Sequence, residues 1–215
     1  MTPPLPHGLP GLFIALEGGD GAGKSTQASL LCAALEAAGA TVVRTREPGG
    51  TPIGEELRRL VLEHGNGEIG ARTEALMFAA SRAAHVEQVI VPALRRGDVV
   101  VCDRYLDSSV AYQGAGRGLG AEAVRSVNLW ATDGLLPDLT VLLDVHPAEG
   151  RNRRTAGAAA EDRLEAEPDH FHASIRAAFL ELADAEPDRY LVLPATLDPA
   201  HVHRAIIDAL PRVPA

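Results

Sequence analysis

Hydrophobic positions in this chain cluster into short runs with no polar face, separated by stretches whose apolar residues recur at helical spacing. Residues 13–17 form the first such run, bounded by glycines, and predict a buried strand. A glycine-rich loop at 18–23 leads into strong helix formers over 24–38, with Leu31, Leu35 and Ala38 in helical register and Gly39 as the stop. Residues 41–45 predict a second strand, 47–50 a turn, and 53–64 a helix broken at Gly65-Asn-Gly67. The spacing predicts one long helix over 72–95, with Pro92 near its end, and a third strand at 98–103. A loop at 114–120, a helix at 121–132 and a fourth strand at 139–145 follow. Residues 151–163 are rich in Arg, Ala and Gly and have no core face. A helix at 170–185, a strand at 190–193 and a helix at 199–210 complete the pattern. Apolar strands alternating with helices pair in parallel with helices on both sides. The expected fold is a three-layer α/β domain spanning 1–215, with about five parallel strands and a loosely ordered leader at 1–11. Ligands in such folds gather at the carboxyl ends of the strands.

Composition narrows the classes. The chain of 215 residues is 46% hydrophobic and 23% charged, ordinary for a soluble globular protein. No apolar run reaches the roughly 20 residues of a membrane span, and the N-terminus lacks the cationic start and apolar core of a secretion signal. Cys32 and Cys102 sit in apolar surroundings without metal-ligand spacing, so a reducing, cytoplasmic setting is expected. A net charge of −9 argues against a grip on long nucleic acid but leaves room for a local basic pocket. Of 20 basic residues, the only lysine is Lys24. A compact ammonium that the chain keeps at one position only is a candidate phosphate ligand, because an arginine fork does not fit every cradle.

That lysine lies in the run Gly18, Gly19, Asp20, Gly21, Ala22, Gly23, Lys24, Ser25, which fits the phosphate loop G-x-x-x-x-G-K-[ST] between a strand and a helix. Inward-turned amides and the helix N-terminus bind phosphate; Lys24 reaches the β- and γ-phosphates and the Ser25 hydroxyl serves Mg²⁺. A nucleoside triphosphate is therefore the expected ligand. Asp103 and Arg104 close the third strand, where an aspartate can hold Mg²⁺ through water and an arginine can clamp an acceptor phosphate; a plain strand-end salt bridge is the alternative.

Longer motifs identify a family. Residues 17–27 (Glu-Gly-Gly-Asp-Gly-Ala-Gly-Lys-Ser-Thr-Gln) and 45–55 (Thr-Arg-Glu-Pro-Gly-Gly-Thr-Pro-Ile-Gly-Glu), Phe78 with Arg82, and the Asp-Arg-Tyr-x-x-Ser-Ser-x-Ala-Tyr-Gln element ending at Gln113 carry the resemblance. Gly116-Arg-Gly118, residues 137–144 and Asp162-Arg-Leu-Glu165 extend it to nearly the whole chain. The chain resembles thymidylate kinases. The resemblance implies phosphorylation of dTMP by Mg·ATP, giving dTDP for dTTP synthesis, and a homodimer. It also implies roles. Phe78 stacks on thymine and Arg82, four residues on, donates to its O4. Ser109 and Gln113 belong to the dTMP pocket, and Tyr112 packs under the sugar where a 2′-hydroxyl would collide. Asp20 reaches the 3′-hydroxyl and Arg46 the acceptor phosphate, unless Arg46 braces the turn at 48–50. Thr26 joins the ATP site with the phosphate loop. Gly21 stands where part of the family has an arginine, so Arg151, Arg153 and Arg154, in a lid at about 151–163, are expected to supply that charge, Arg153 foremost. A kinase of another nucleoside monophosphate, or a nucleotide switch that transfers nothing, are the rival readings.

Overall fold

Strands β1 (Leu12–Glu17), β2 (Val42–Arg46), β3 (Val99–Asp103), β4 (Leu139–Asp144) and β5 (Tyr190–Pro194) form one sheet in the order β2-β3-β1-β4-β5, every neighbouring pair parallel. The computed structural model describes residues 7–156 and 161–211. Strand side chains alternate between faces, and both faces are covered. Leu12, Ile14 and Leu16 pack with Leu31 and Leu35 of α1 (Lys24–Ala37) and with Val202 and Ile206 of α9 (Pro199–Ala209). Phe13 and Ala15 face the opposite layer, with Leu94 and Tyr105. A strand buried on both sides has no polar face, which is why the sequence shows runs rather than alternation.

Helix α2 (Pro52–Leu62) starts at Thr51, whose hydroxyl accepts from the Gly54 amide at 3.0 Å. The single helix expected over 72–95 is α3 (Ala71–His85), a π-helical turn at Val86–Ile90, and α4 (Val91–Arg96). Pro92 falls at the start of α4, directly after the π-helical turn; it has no N–H to continue the ladder, and the irregular turn precedes it. The loop expected at 114–120 begins later. Helix α5 (Leu106–Ser109) continues through a π-helical turn at Val110–Gly116 before α6 (Ala121–Ala131). Its buried residues include Ser108, Ser109 and Gln113, so no apolar period announces it. Arg151, Arg153 and Arg154 lie on α7 (Pro147–Thr155), a helix where the sequence pattern predicts none; residues 157–160 of the expected lid lie outside the described residues. Helix α8 (Asp169–Ala185) follows. Of the expected loose leader, 1–6 lies outside the described residues, while 7–11 is tied down. His7 Nε2 lies 2.9 Å from Asp138 and the Gly11 amide donates to Leu94 O at 2.9 Å.

Candidate active site

The carboxyl ends of β1 and β3 bring the phosphate loop and Asp103-Arg104 together. Gly18 has φ +133° and a Cβ there would lie 2.3 Å from Leu143 O, so only glycine leaves β1 along this path. Lys24 folds back over the loop: Nζ donates to Gly18 O at 3.0 Å and Gly19 O at 2.9 Å and is 7% exposed. Burial, then the charge of Arg104, lowers its pKa to about 8, against the pull of Asp20 and Asp103. The Ser25 hydroxyl donates to Asp103 Oδ2 at 2.7 Å. Two oxygen-bearing side chains at the end of the loop suit a hard cation such as Mg²⁺.

Arg104 is the centre of the arrangement. Its backbone is left-handed, φ +70°. Nη1 donates to Gly18 O and Ser108 Oγ, both at 3.0 Å; Nη2 donates to Asp20 and, at 3.1 Å, to Tyr112 Oη. The Tyr112 hydroxyl donates in turn to Asp20 Oδ2 at 2.7 Å, and the guanidinium carbon lies 5.0 Å from the Tyr112 ring centroid. Burial opposes charge on both groups. The pairing wins: Arg104 and Lys24 hold the Asp20 carboxyl well below the usual range, and Asp20 holds the Arg104 guanidinium well above its own. Asp103 does not pair with Arg104 in a strand-end salt bridge.

Two adjoining pockets share this group as a wall. One is lined by Lys24, Ser25, Thr26, Arg46, Asp103, Arg153 and Arg154; the other by Pro48, Leu62, Phe78, Ser109, Tyr112, Gln113 and Leu164. Asp20, Glu47, Arg58, Arg104 and Glu165 line both. The sequence pattern gives no role to Arg58, Glu47, Ser108, Asp162, Leu164 and Glu165, which also line these pockets. An arginine in mid-helix such as Arg58 reads as solvated; here it donates to Pro48 O at 3.0 Å, across the turn of residues 47–50.

Arg82 stands apart. It is 1% exposed and does not line the base-side pocket. Nε donates to Glu47 at 2.6 Å, Nη1 to Ser109 Oγ at 3.0 Å and to Asn128, and Nη2 to Tyr105 O at 3.0 Å. These bonds use four of the five guanidinium hydrogens. Arg46 pairs with Glu55 at 2.8 Å, and Glu55 accepts the Gly50 amide at 2.9 Å, so Arg46 braces the turn while also lining the phosphate-loop pocket.

Helix α7 lies directly on the phosphate loop. A Cβ on Gly21, φ +79°, would meet Gly150 O at 2.3 Å, and a Cβ on Gly150 would meet Asp20 O at 2.4 Å. The close approach is what leaves no room for an arginine at Gly21. It delivers Arg153 to Gly21 O at 3.5 Å and to Ala195 O at 3.0 Å. Arg154 pairs with Glu161 at 2.9 Å, whereas Arg151 turns to Asp169 at 3.0 Å and lines neither pocket.

Comparison with known proteins gives the family. A family model described as thymidylate kinase matches residues 16–206. The chain is 59% identical over 192 residues to a thymidylate kinase of Leifsonia xyli subsp. xyli, covering 89% of this chain and 90% of the relative. It is 53% identical over 196 residues to one from Cutibacterium acnes, covering 91% and 94%. The crystal structure of an Ehrlichia chaffeensis thymidylate kinase superposes with a TM-score of 0.75 at 32% identity, over 92% of this chain and 97% of that one. The chain belongs to the thymidylate kinase family.

Proposed function

We propose that this enzyme transfers the γ-phosphoryl group of ATP to dTMP across the shared wall of the two pockets, as a single kinase domain with a lid at about 151–163. The observation that carries the reading is the Asp20–Arg104–Tyr112 cluster, which faces a phosphate loop on one side and an aromatic pocket on the other. In-line transfer needs positioned phosphates and neutralised charge rather than a strong base. Gly18 to Thr26 bind ATP, with Lys24 on the β- and γ-phosphates. Ser25 and Asp103 would hold Mg²⁺, which neutralises phosphate charge when bound. Arg104 clamps the dTMP phosphate, with Arg46 and Arg58 adding positive charge. Phe78 stacks on the base, Ser109 and Gln113 line its edge, and Tyr112 packs under the sugar. Asp20 turns to the 3′-hydroxyl. Arg82, buried behind the pocket wall, fixes Ser109 at the base edge. Arg153, helped by Arg154, meets the charge that develops in transfer; Arg151 anchors the lid.

The same reading makes the enzyme a cytoplasmic homodimer with no nucleic-acid polymer or membrane partner. Among the described residues no helix is long and apolar enough to cross a membrane. Leu76 on α3 is 58% exposed and Trp130 on α6 is 85% exposed, large apolar side chains that a second subunit would cover. A coupled ADP-release assay tests the transfer. ADP should form rapidly only when dTMP is present, and ADP formation indifferent to dTMP would contradict it.

A further inference from the structure

Glu17 closes β1 immediately before the phosphate loop, yet the ligand chemistry above leaves it without a role. It is completely buried. Oε1 accepts two backbone amides, Tyr105 at 2.8 Å and Ser108 at 3.1 Å, and Oε2 accepts the Ser108 hydroxyl at 2.6 Å. The amides belong to the residue just before α5 and to the third residue of that helix, so a carboxylate from β1 does what a helix-capping side chain ordinarily does. The hydroxyl it holds is the same one that accepts from Arg104 Nη1 at 3.0 Å.

The backbone tells the same story. Arg104 is left-handed at φ +70°, a conformation that L-residues keep only where their surroundings enforce it, and such outliers cluster at functional sites. Its own amide donates to Leu16 O at 2.9 Å, and the next amide, Tyr105, goes to Glu17. The end of β1 thus grips both sides of the strained residue.

We infer that Glu17 is a positioning residue for dTMP: through the Tyr105 and Ser108 amides and the Ser108 hydroxyl it fixes the strained backbone and the guanidinium of Arg104. The inference rests on the reading of Arg104 as the acceptor-phosphate clamp. A carboxylate here is costly to bury. Desolvation, then the facing Asp107, raises its pKa to about 7, with Arg104 the charge that opposes them. Asp107 is itself paired with Arg189 at 2.8 Å. A side chain retained only for stability has cheaper apolar or neutral substitutes.

Steady-state kinetics and thermal melting of Arg104→Lys, Glu17→Gln and Ser108→Ala test this. Each variant should raise the KM for dTMP by about tenfold or more, because Ser108→Ala removes a bond to the Arg104 guanidinium and Glu17→Gln weakens the one that orients it; Glu17→Gln and Ser108→Ala should leave the KM for ATP unchanged. The melting temperature of Glu17→Gln should fall by no more than about 4 °C. If Arg104→Lys raises the KM for dTMP while Glu17→Gln and Ser108→Ala do not, the inference is overturned and the clamp stands. If Arg104→Lys has no effect, the clamp falls and the inference with it. Equal rises in both KM values, with a lower melting temperature, would make Glu17 a merely structural residue and overturn the inference.

Discussion

Two residues at the phosphate loop are held at some energetic cost. Arg104 spends about 1–3 kcal/mol in its left-handed backbone, and Lys24 is an ammonium with 7% exposure whose pKa falls to about 8 through burial and the charge of Arg104. Lys24 Nζ sits between two loop carbonyls 2.9 and 3.0 Å away, a space for a point charge rather than a planar fork. Lys24→Arg should therefore lose kcat nearly as badly as Lys24→Ala, by on the order of 10²-fold or more. A kcat for Lys24→Arg within about tenfold of wild type would count against this account of the cradle. Glu17 predicts a pH effect on stability. Burial, then Asp107, raises its pKa from 4.5 in an exposed chain to about 7 in the folded one. Between those values the folded protein holds the proton that the unfolded chain has lost, so this contribution falls as pH rises from 4.5 to 7 and is gone above. Glu17→Gln has no proton to lose. In urea unfolding, its stability relative to wild type should climb through that window and level off above it. A difference constant with pH would contradict the assignment.

At the scale of elements, the sheet, the phosphate loop and the terminal helices were readable because burial on both faces, glycine breaks and helical spacing are local signals. The segment from Tyr105 to Gln113 was not. Its inward residues Ser108, Ser109 and Gln113 are held by hydrogen bonds to Glu17, Arg82 and Glu74, partners 27 to 91 positions away in the chain. Arg82 was legible as a site residue only through family resemblance, and its full burial depends on Glu47 and Asn128, which no spacing connects to it. Helix α7 is silent in the sequence because PAEGRNRRT offers no apolar face; Gly150 is its one buried residue. That glycine seats the helix on Asp20 O. Alanine is the better helix former, so Gly150→Ala should cost nothing through propensity, and its Cβ should lift α7 from the loop. We expect kcat to fall by about 10-fold or more with the KM for dTMP little changed, and Arg153→Ala to lose about 10² in kcat. Wild-type kcat in Gly150→Ala would show that the close seating is unnecessary for turnover.

For the whole molecule, an acidic chain of net charge −9 concentrates its cations where phosphates meet: Lys24, Arg46, Arg58, Arg104, Arg153 and Arg154 line one pocket. Leu76 on α3 and Trp130 on α6 are large apolar side chains left mostly exposed. Introducing charge there, as Leu76→Asp with Trp130→Glu, should shift sedimentation from dimer to monomer, because a buried unpaired charge costs several kcal/mol in an interface. A dimer that survives both changes would move the interface elsewhere. The central claim, phosphorylation of dTMP in the Phe78–Tyr112 pocket, is tested most directly by kcat/KM for dTMP, dUMP and dCMP at fixed ATP. One methyl group in an apolar pocket is worth about 1–3 kcal/mol, so dUMP should be poorer by roughly 10- to 200-fold. Ser109 Oγ already accepts from Arg82, so its hydroxyl hydrogen is left for an acceptor such as thymine O4; the amino group of cytosine offers none there, so dCMP should be poorer still. A dCMP value equal to that of dTMP would contradict the account.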